Sequence, residues 1–111
     1  MVGDQPMTTW QTVAKVGDIP PERVAVFAVG DHDVAVCNVS GRFYAIDDVC
    51  THDGGALDQG ELEGDEIECP RHGARFDVRT GAAVQLPAFE PVAIHEVRVE
   101  GDDIQIGVEH R

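Results

Sequence analysis

Cysteine and basic residues are both scarce in this chain. Three cysteines in 111 residues leave no room for a dense disulfide framework, and none is needed. A chain of ordinary single-domain length buries roughly two-thirds of its unfolded surface and holds one modest core unaided. Eight Lys and Arg face 21 Asp and Glu, giving a formal net charge of -13, which argues against binding nucleic acid or an anionic membrane. A basic protein partner, or plain solubility, accounts for such acidity. No apolar run is long enough to span a bilayer, and Met1 to Thr8 lacks a basic start followed by an apolar stretch, so a cytoplasmic protein is expected. Also missing are a helical period sustained over three turns, an internal repeat, a low-complexity tract and an interdomain linker. One domain, 9–111 after a short tail 1–8, is the expectation.

What the chain does have is two ligand pairs. Cys50 and His52 have one residue between them, and Cys69 and His72 have two. Each pair offers one thiolate and one imidazole from its own glycine-containing loop. That division suits a binuclear iron–sulfur centre in which one iron takes both sulfurs and the other both imidazoles. Zinc competes for the same donors, although its usual patterns place a CxxC knuckle before an HxxxH helix, whereas here each half mixes both ligand types. Asp53-Gly54-Gly55 follows the first histidine and Gly73 the second. Glycine lets a loop fold tightly enough to aim backbone N–H groups at an anionic inorganic sulfide.

Cys50-Thr51-His52 followed by Cys69-Pro70-Arg71-His72-Gly73 resembles the Rieske [2Fe–2S] signature. Ile67 to Pro70, Arg75-Phe76-Asp77 and Thr80-Gly81 are similar to that family's strand–loop–strand around its second cluster loop, and Leu86-Pro87-Ala88 to its cluster-covering proline loop. The resemblance spans Trp10 to Glu109. It implies an all-β Rieske fold: an antiparallel β-sandwich base with a small cluster-binding subdomain of two loops. It implies one Rieske-type [2Fe–2S] cluster on Cys50, His52, Cys69 and His72. Thr51, Asp53, Gly54, Gly55, Pro70, Arg71, Gly73, Ala74, Phe76 and Pro87 would support the loops, with the exposed imidazole edges as the electron exit. High-potential members of the family carry two further cysteines that tie the loops together, where this chain has Gly55 and Arg71. They also place a serine and a tyrosine that donate to sulfur, where this chain has Ala74 and Phe76. Losing donors that stabilise the reduced state places the potential near the low end of the Rieske range, about -150 mV.

Strand signals flank the ligand segment on both sides. Trp10–Val16, Arg23–Val29, Val34–Val39 and Arg42–Ile46 precede it, broken by Asp18-Ile19-Pro20-Pro21, by Gly30-Asp31-His32-Asp33 and by Ser40-Gly41. Val92–Val99 and Ile104–Val108 follow, joined by Gly101-Asp102-Asp103. Such alternation of β-branched runs with turn residues predicts an antiparallel meander. Base strands are expected over 9–46 and 92–109, with the cluster-binding segment at 47–91.

The remaining residues with metal-binding chemistry carry no second site in this reading. His32 falls in a turn, His95 in a late strand and His110 at the penultimate position, and no close histidine pair is expected. The mononuclear iron of oxygenase subunits needs two histidines and a carboxylate, so no catalytic role is expected. Glu61, Glu63, Asp65, Glu66 and Glu68 lack the spacing of a calcium loop and read as a solvated acidic rim available for docking. Cys37, inside a β-branched run, reads as a small buried residue. The resemblance to soluble Rieske ferredoxins implies a one-electron carrier between a flavoprotein reductase and a terminal oxygenase. Two alternatives stay open: a small subunit like that of assimilatory nitrite reductases, and a Rieske ferredoxin of another redox or iron–sulfur assembly system.

Overall fold

In the computed structural model, residues 7–51 and 54–110 are described, the side chains of 7, 8, 109 and 110 apart. His52 and Asp53 thus lie outside the described residues, as does the side chain of His110. Among the described residues, eleven strands form three antiparallel sheets. The first sheet contains β1 (Met7–Lys15), β10 (Val97–Glu100) and β11 (Asp103–His110) in the order β1-β11-β10. The second runs β2 (Val24–Val29), β3 (His32–Val39), β4 (Arg42–Asp47), β9 (Ile94–His95). The third is local in sequence: β5 (Leu62–Glu63), β6 (Glu66–Glu68), β7 (Arg75–Asp77) and β8 (Ala83–Gln85).

The second sheet is the middle layer, and its sequence says why. Every residue of β3 from Val34 to Val39 is buried, which a strand tolerates only when both faces are covered. Side chains alternate across a strand. Val34 and Val36 accordingly join Ala45, Ile104 and Ile106 in a core against the first sheet. Ala35, Cys37 and Val39 join Ile46, Ile67, Phe76 and Val78 in a second core against the third sheet. Cys37 is thereby buried, and loss of solvation, reinforced by the charge of Asp48, pushes its thiol pKa up to about 12. Asn38, the buried polar residue of this strand, donates to the Ile19 carbonyl at 2.8 Å and accepts from the Gly41 amide at 2.7 Å. Those two bonds offset the cost of its desolvation.

Expectations change at several strand ends: the strand expected at Trp10–Val16 runs Met7–Lys15, with Val16 opening a 3-10 turn, and that expected from Arg23 begins at Val24. The Gly30–Asp33 turn is only Gly30-Asp31, and His32 already begins β3. The Val92–Val99 strand is split between β9 in the middle sheet and β10 in the outer one. Strand-forming residues on both sides of His95-Glu96 cannot report that split, because β-propensity marks a strand without naming the sheet it joins. Within the third layer, Gly60 passes so close to Glu68 that an added Cβ would lie 1.6 Å from its carbonyl oxygen. Only glycine fits there, and the approach brings the chain between Cys50 and Cys69 back onto β6.

Candidate metal centre

The two cysteines stand at equivalent places in two loops built alike. In the first, the Cys50 amide donates to the Gly55 carbonyl at 2.6 Å, and the Gly54 amide donates to the Cys50 carbonyl at 2.7 Å. In the second, the Cys69 amide donates to the Ala74 carbonyl at 2.6 Å, and the Gly73 amide donates to the Cys69 carbonyl at 3.1 Å. The glycine four residues beyond each cysteine has φ 76° at Gly54 and 77° at Gly73, a left-handed conformation that suits glycine and strains a residue with a Cβ. Each loop thus closes on its own cysteine. Cys50 is 0% exposed and Cys69 1%, while His72 is exposed. No disulfide links the three cysteines.

Contacts from distant residues hold the loops in place. Asp48 Oδ1 accepts from the amides of Leu57 and Asp58, both at 2.8 Å, which fixes the chain on either side of the first loop. Partial burial raises the Asp48 pKa and the neighbouring Asp58 carboxyl adds to the rise, against the lowering effect of the two amides. The Thr51 hydroxyl donates to the Glu90 carbonyl at 2.7 Å, joining the first loop to the segment that follows the cis Leu86–Pro87 bond. Gln85 Nε2 donates to the Gly73 carbonyl at 2.9 Å, joining β8 to the second loop. Asp48, Gln85 and Glu90 carried no local signal in sequence, since their partners are 9, 12 and 39 positions away.

The residues expected to support the loops take different places in the structure. Thr51, Gly54, Gly55, Gly73 and Ala74 make the loop bonds just described. Ala74 and Phe76 are fully buried beside Cys50 and Cys69 in the core between the second and third sheets. Pro70 and Arg71 are exposed on the second loop, and Pro87 is half-buried beside buried Ala88. Leu86 and Phe89 are 70% and 80% exposed, so this loop shows solvent an apolar surface.

The acidic run is less of a rim than its composition suggests. Arg75 Nη2 meets Glu63 at 2.7 Å, its Nη1 meets Glu66 at 3.3 Å and its Nε meets Glu68 at 4.0 Å. Arg79 pairs with Asp65 at 3.5 Å and with Asp77 at 2.9 Å. Strand pairing places Glu68 opposite Arg75 and Glu66 opposite Asp77, so Arg75 and Arg79 offset part of the run's negative charge within the third sheet. Glu61 remains exposed and Asp58 partly so.

A buried thiol at the base of each loop and an imidazole exposed to solvent form a donor set that suits a [2Fe–2S] centre or zinc. Comparison with known proteins separates the two. Residues 9–98 match the Rieske [2Fe-2S] domain model. The ferredoxin component of biphenyl 2,3-dioxygenase from Rhodococcus jostii (strain RHA1) is 42% identical over 97 residues, covering 87% of this chain and 91% of that protein. The ferredoxin of carbazole 1,9a-dioxygenase from Nocardioides aromaticivorans IC177 superposes with a TM-score of 0.85 at 38% identity, over 88% of this chain and 96% of its own. A ferredoxin solved in complex with the reduced oxygenase of carbazole 1,9a-dioxygenase gives 0.83 at 37% identity, over 87% and 91%. With a family match over most of its length and ferredoxins as its relatives, the chain belongs to the Rieske [2Fe–2S] domain family, as an electron carrier with one cluster of that type.

Proposed function

We propose that Cys50 and Cys69 hold one iron of the cluster and His52 and His72 the other, and that the chain carries single electrons from a flavin-dependent reductase to a terminal oxygenase in the cytoplasm. The observation that carries the assignment is the matched pair of loops, each closing on its own buried cysteine through the same two backbone bonds. When bound, the cluster supplies reversible one-electron chemistry. The residues around it set where the electron enters and leaves. Burial of Cys50 and Cys69 among Leu57, Ile67, Phe76 and Ala88 keeps water from the sulfur side. His72, exposed on the second loop, presents an imidazole edge to a partner. The apolar Leu86 and Phe89 side chains extend from the adjoining proline loop and favour a docked surface over a solvated one. The oxygenase as acceptor rests on the ferredoxin components among the relatives and on the ferredoxin–oxygenase complex.

The test is the freshly isolated, anaerobically handled protein. Two irons and two acid-labile sulfides per chain are expected, both lost on replacing any one of the four ligands. One zinc without labile sulfide would overturn the cluster ligation. Reduction by a flavoprotein reductase and reoxidation by an oxygenase, followed by stopped flow, tests the direction of transfer.

A further inference from the structure

On the opposite face of the middle sheet from the cysteines, three side chains from three strands converge. β-pairing sets Asp47 against Val34 and His95 against Ala45. His32 lies two residues before Val34, and Asp47 two after Ala45, so alternation points His32, Asp47 and His95 to one face. Asp47 Oδ1 lies 3.1 Å from His32 Nδ1 and 2.6 Å from His95 Nε2. The two rings meet edge to face with centroids 5.3 Å apart. One nitrogen of each imidazole and a carboxylate oxygen all lie within 4.8 Å of one another. The absence of a close histidine pair expected from sequence is therefore corrected, because β3 and β9 flank β4 and deliver both rings to one aspartate.

We propose that His32, Asp47 and His95 form a second metal site, distinct from the cluster, that takes one late first-row divalent cation of the Zn2+ class. Two imidazoles and one carboxylate are the donor set of open zinc sites, which complete their coordination with water. In a tetrahedral site with bonds near 2.0 to 2.1 Å, ligand atoms stand about 3.3 Å apart. The His32–Asp47 separation already matches. The His95–Asp47 separation opens by about 0.7 Å, and small side-chain rotations bring the two nitrogens together. The side chains of Asp47 and His95 are 20% and 15% exposed, so packing holds them, whereas that of His32 is 55% exposed and leaves the fourth position open to solvent. The chain's formal charge of -13 adds a field that concentrates cations. Without a cation, the imidazole N–H groups donate to the carboxylate. On binding, each ring carries its proton on the other nitrogen, so the carboxylate exchanges two hydrogen bonds for one bond to the metal.

The test uses the oxidised holoprotein, in which the cluster occupies its own ligands. Zn2+ added in a calorimeter is expected to bind at one site per chain. His32→Ala and Asp47→Asn should each weaken it by at least about tenfold, as loss of a direct ligand exceeds the 10- to 100-fold effect of losing a supporting contact. His32 is exposed, so His32→Ala should keep its cluster absorbance and melting temperature. If Asp47→Asn does not hold its cluster, His95→Gln is measured instead. Imidazole 15N resonances of both His32 and His95 should shift with one equivalent of Zn2+. Absence of saturable binding, binding unaltered by either substitution, or shifts confined to one ring would overturn the site.

Discussion

The Thr51 hydroxyl reaches the Glu90 carbonyl at 2.7 Å across 39 positions, so a hydrogen bond ties the Cys50 loop to the chain beyond the proline loop. Thr51→Val keeps the shape of the side chain and removes the donor. A stability loss of about 1 kcal/mol is expected, with faster amide exchange in 86–91 and earlier cluster loss on heating. Unchanged exchange in those residues would show that the two segments are held by packing alone.

A second prediction concerns the potential. Ala74 and Phe76 are buried beside Cys50 and Cys69, where Ser and Tyr hydroxyls would donate to sulfur. Ala74→Ser and Phe76→Tyr should each raise the midpoint potential and together raise it further. A bond that favours the reduced state by ~1 kcal/mol shifts a one-electron couple by roughly 40 mV. Voltammetry of the double variant reads the sum, and no rise would place both hydroxyls away from the sulfurs.

Cys37 is expected to be inert. Burial and the nearby Asp48 charge push its pKa up to about 12, so at pH 8 almost no thiolate exists to react. In the loaded native protein no cysteine should be titrated by a thiol reagent, and Cys37→Ser should leave iron content unchanged while costing about 1–3 kcal/mol for a buried hydroxyl. Rapid native labelling of Cys37 would contradict its place in the core.

Asp77 predicts a pH dependence of stability. The Arg79 side chain, with the amides of Arg79 and Thr80 assisting, holds its carboxyl below the usual 3.8. A carboxyl pKa lowered on folding stabilises the fold above the unfolded value, and that contribution is lost as pH falls through the folded one. Asp77→Asn should therefore be less stable than wild type near neutrality, by under about 1 kcal/mol for a pair whose arginine is half exposed to solvent. The difference should shrink as the pH is lowered below 4. A gap in urea midpoints that is constant from pH 7 to pH 3 would assign it to packing.

Docking should depend on salt through few residues. Glu63, Glu66 and Glu68 share the one positive charge of Arg75, whereas Asp58 and Glu61 follow the first loop in sequence, Asp58 partly exposed and Glu61 exposed. Asp58→Asn with Glu61→Gln should flatten the fall of the reductase or oxygenase association rate with rising salt, leaving the potential much less affected. Glu63→Gln should flatten that slope less, because the Arg75 guanidinium partly offsets its charge. Stopped-flow rates insensitive to salt in the wild type would assign docking to the apolar Leu86 and Phe89 surface.

The sequence by itself determined the features written locally. The spacing of Cys50, His52, Cys69 and His72, with Gly54 and Gly73 at matching offsets, marks two tight loops and the proposed ligands on them, because a tight loop is a matter of a few adjacent residues and their allowed φ angles. The β-branched runs likewise announced strands from Val24 to Asp47, since pleated packing needs only alternate side chains. Tertiary structure decided what depends on register between distant strands. It divided the run expected as one strand at Val92–Val99 into Ile94–His95 and Val97–Glu100 in two sheets, because β-propensity marks a strand without naming its neighbour. It folded the acidic run onto Arg75 and Arg79, set Thr51 against Glu90, and gathered His32, Asp47 and His95 from β3, β4 and β9. No local pattern encodes those meetings, because each requires chains far apart in sequence to align to within one residue, and the two cores on either side of β3 fix that alignment.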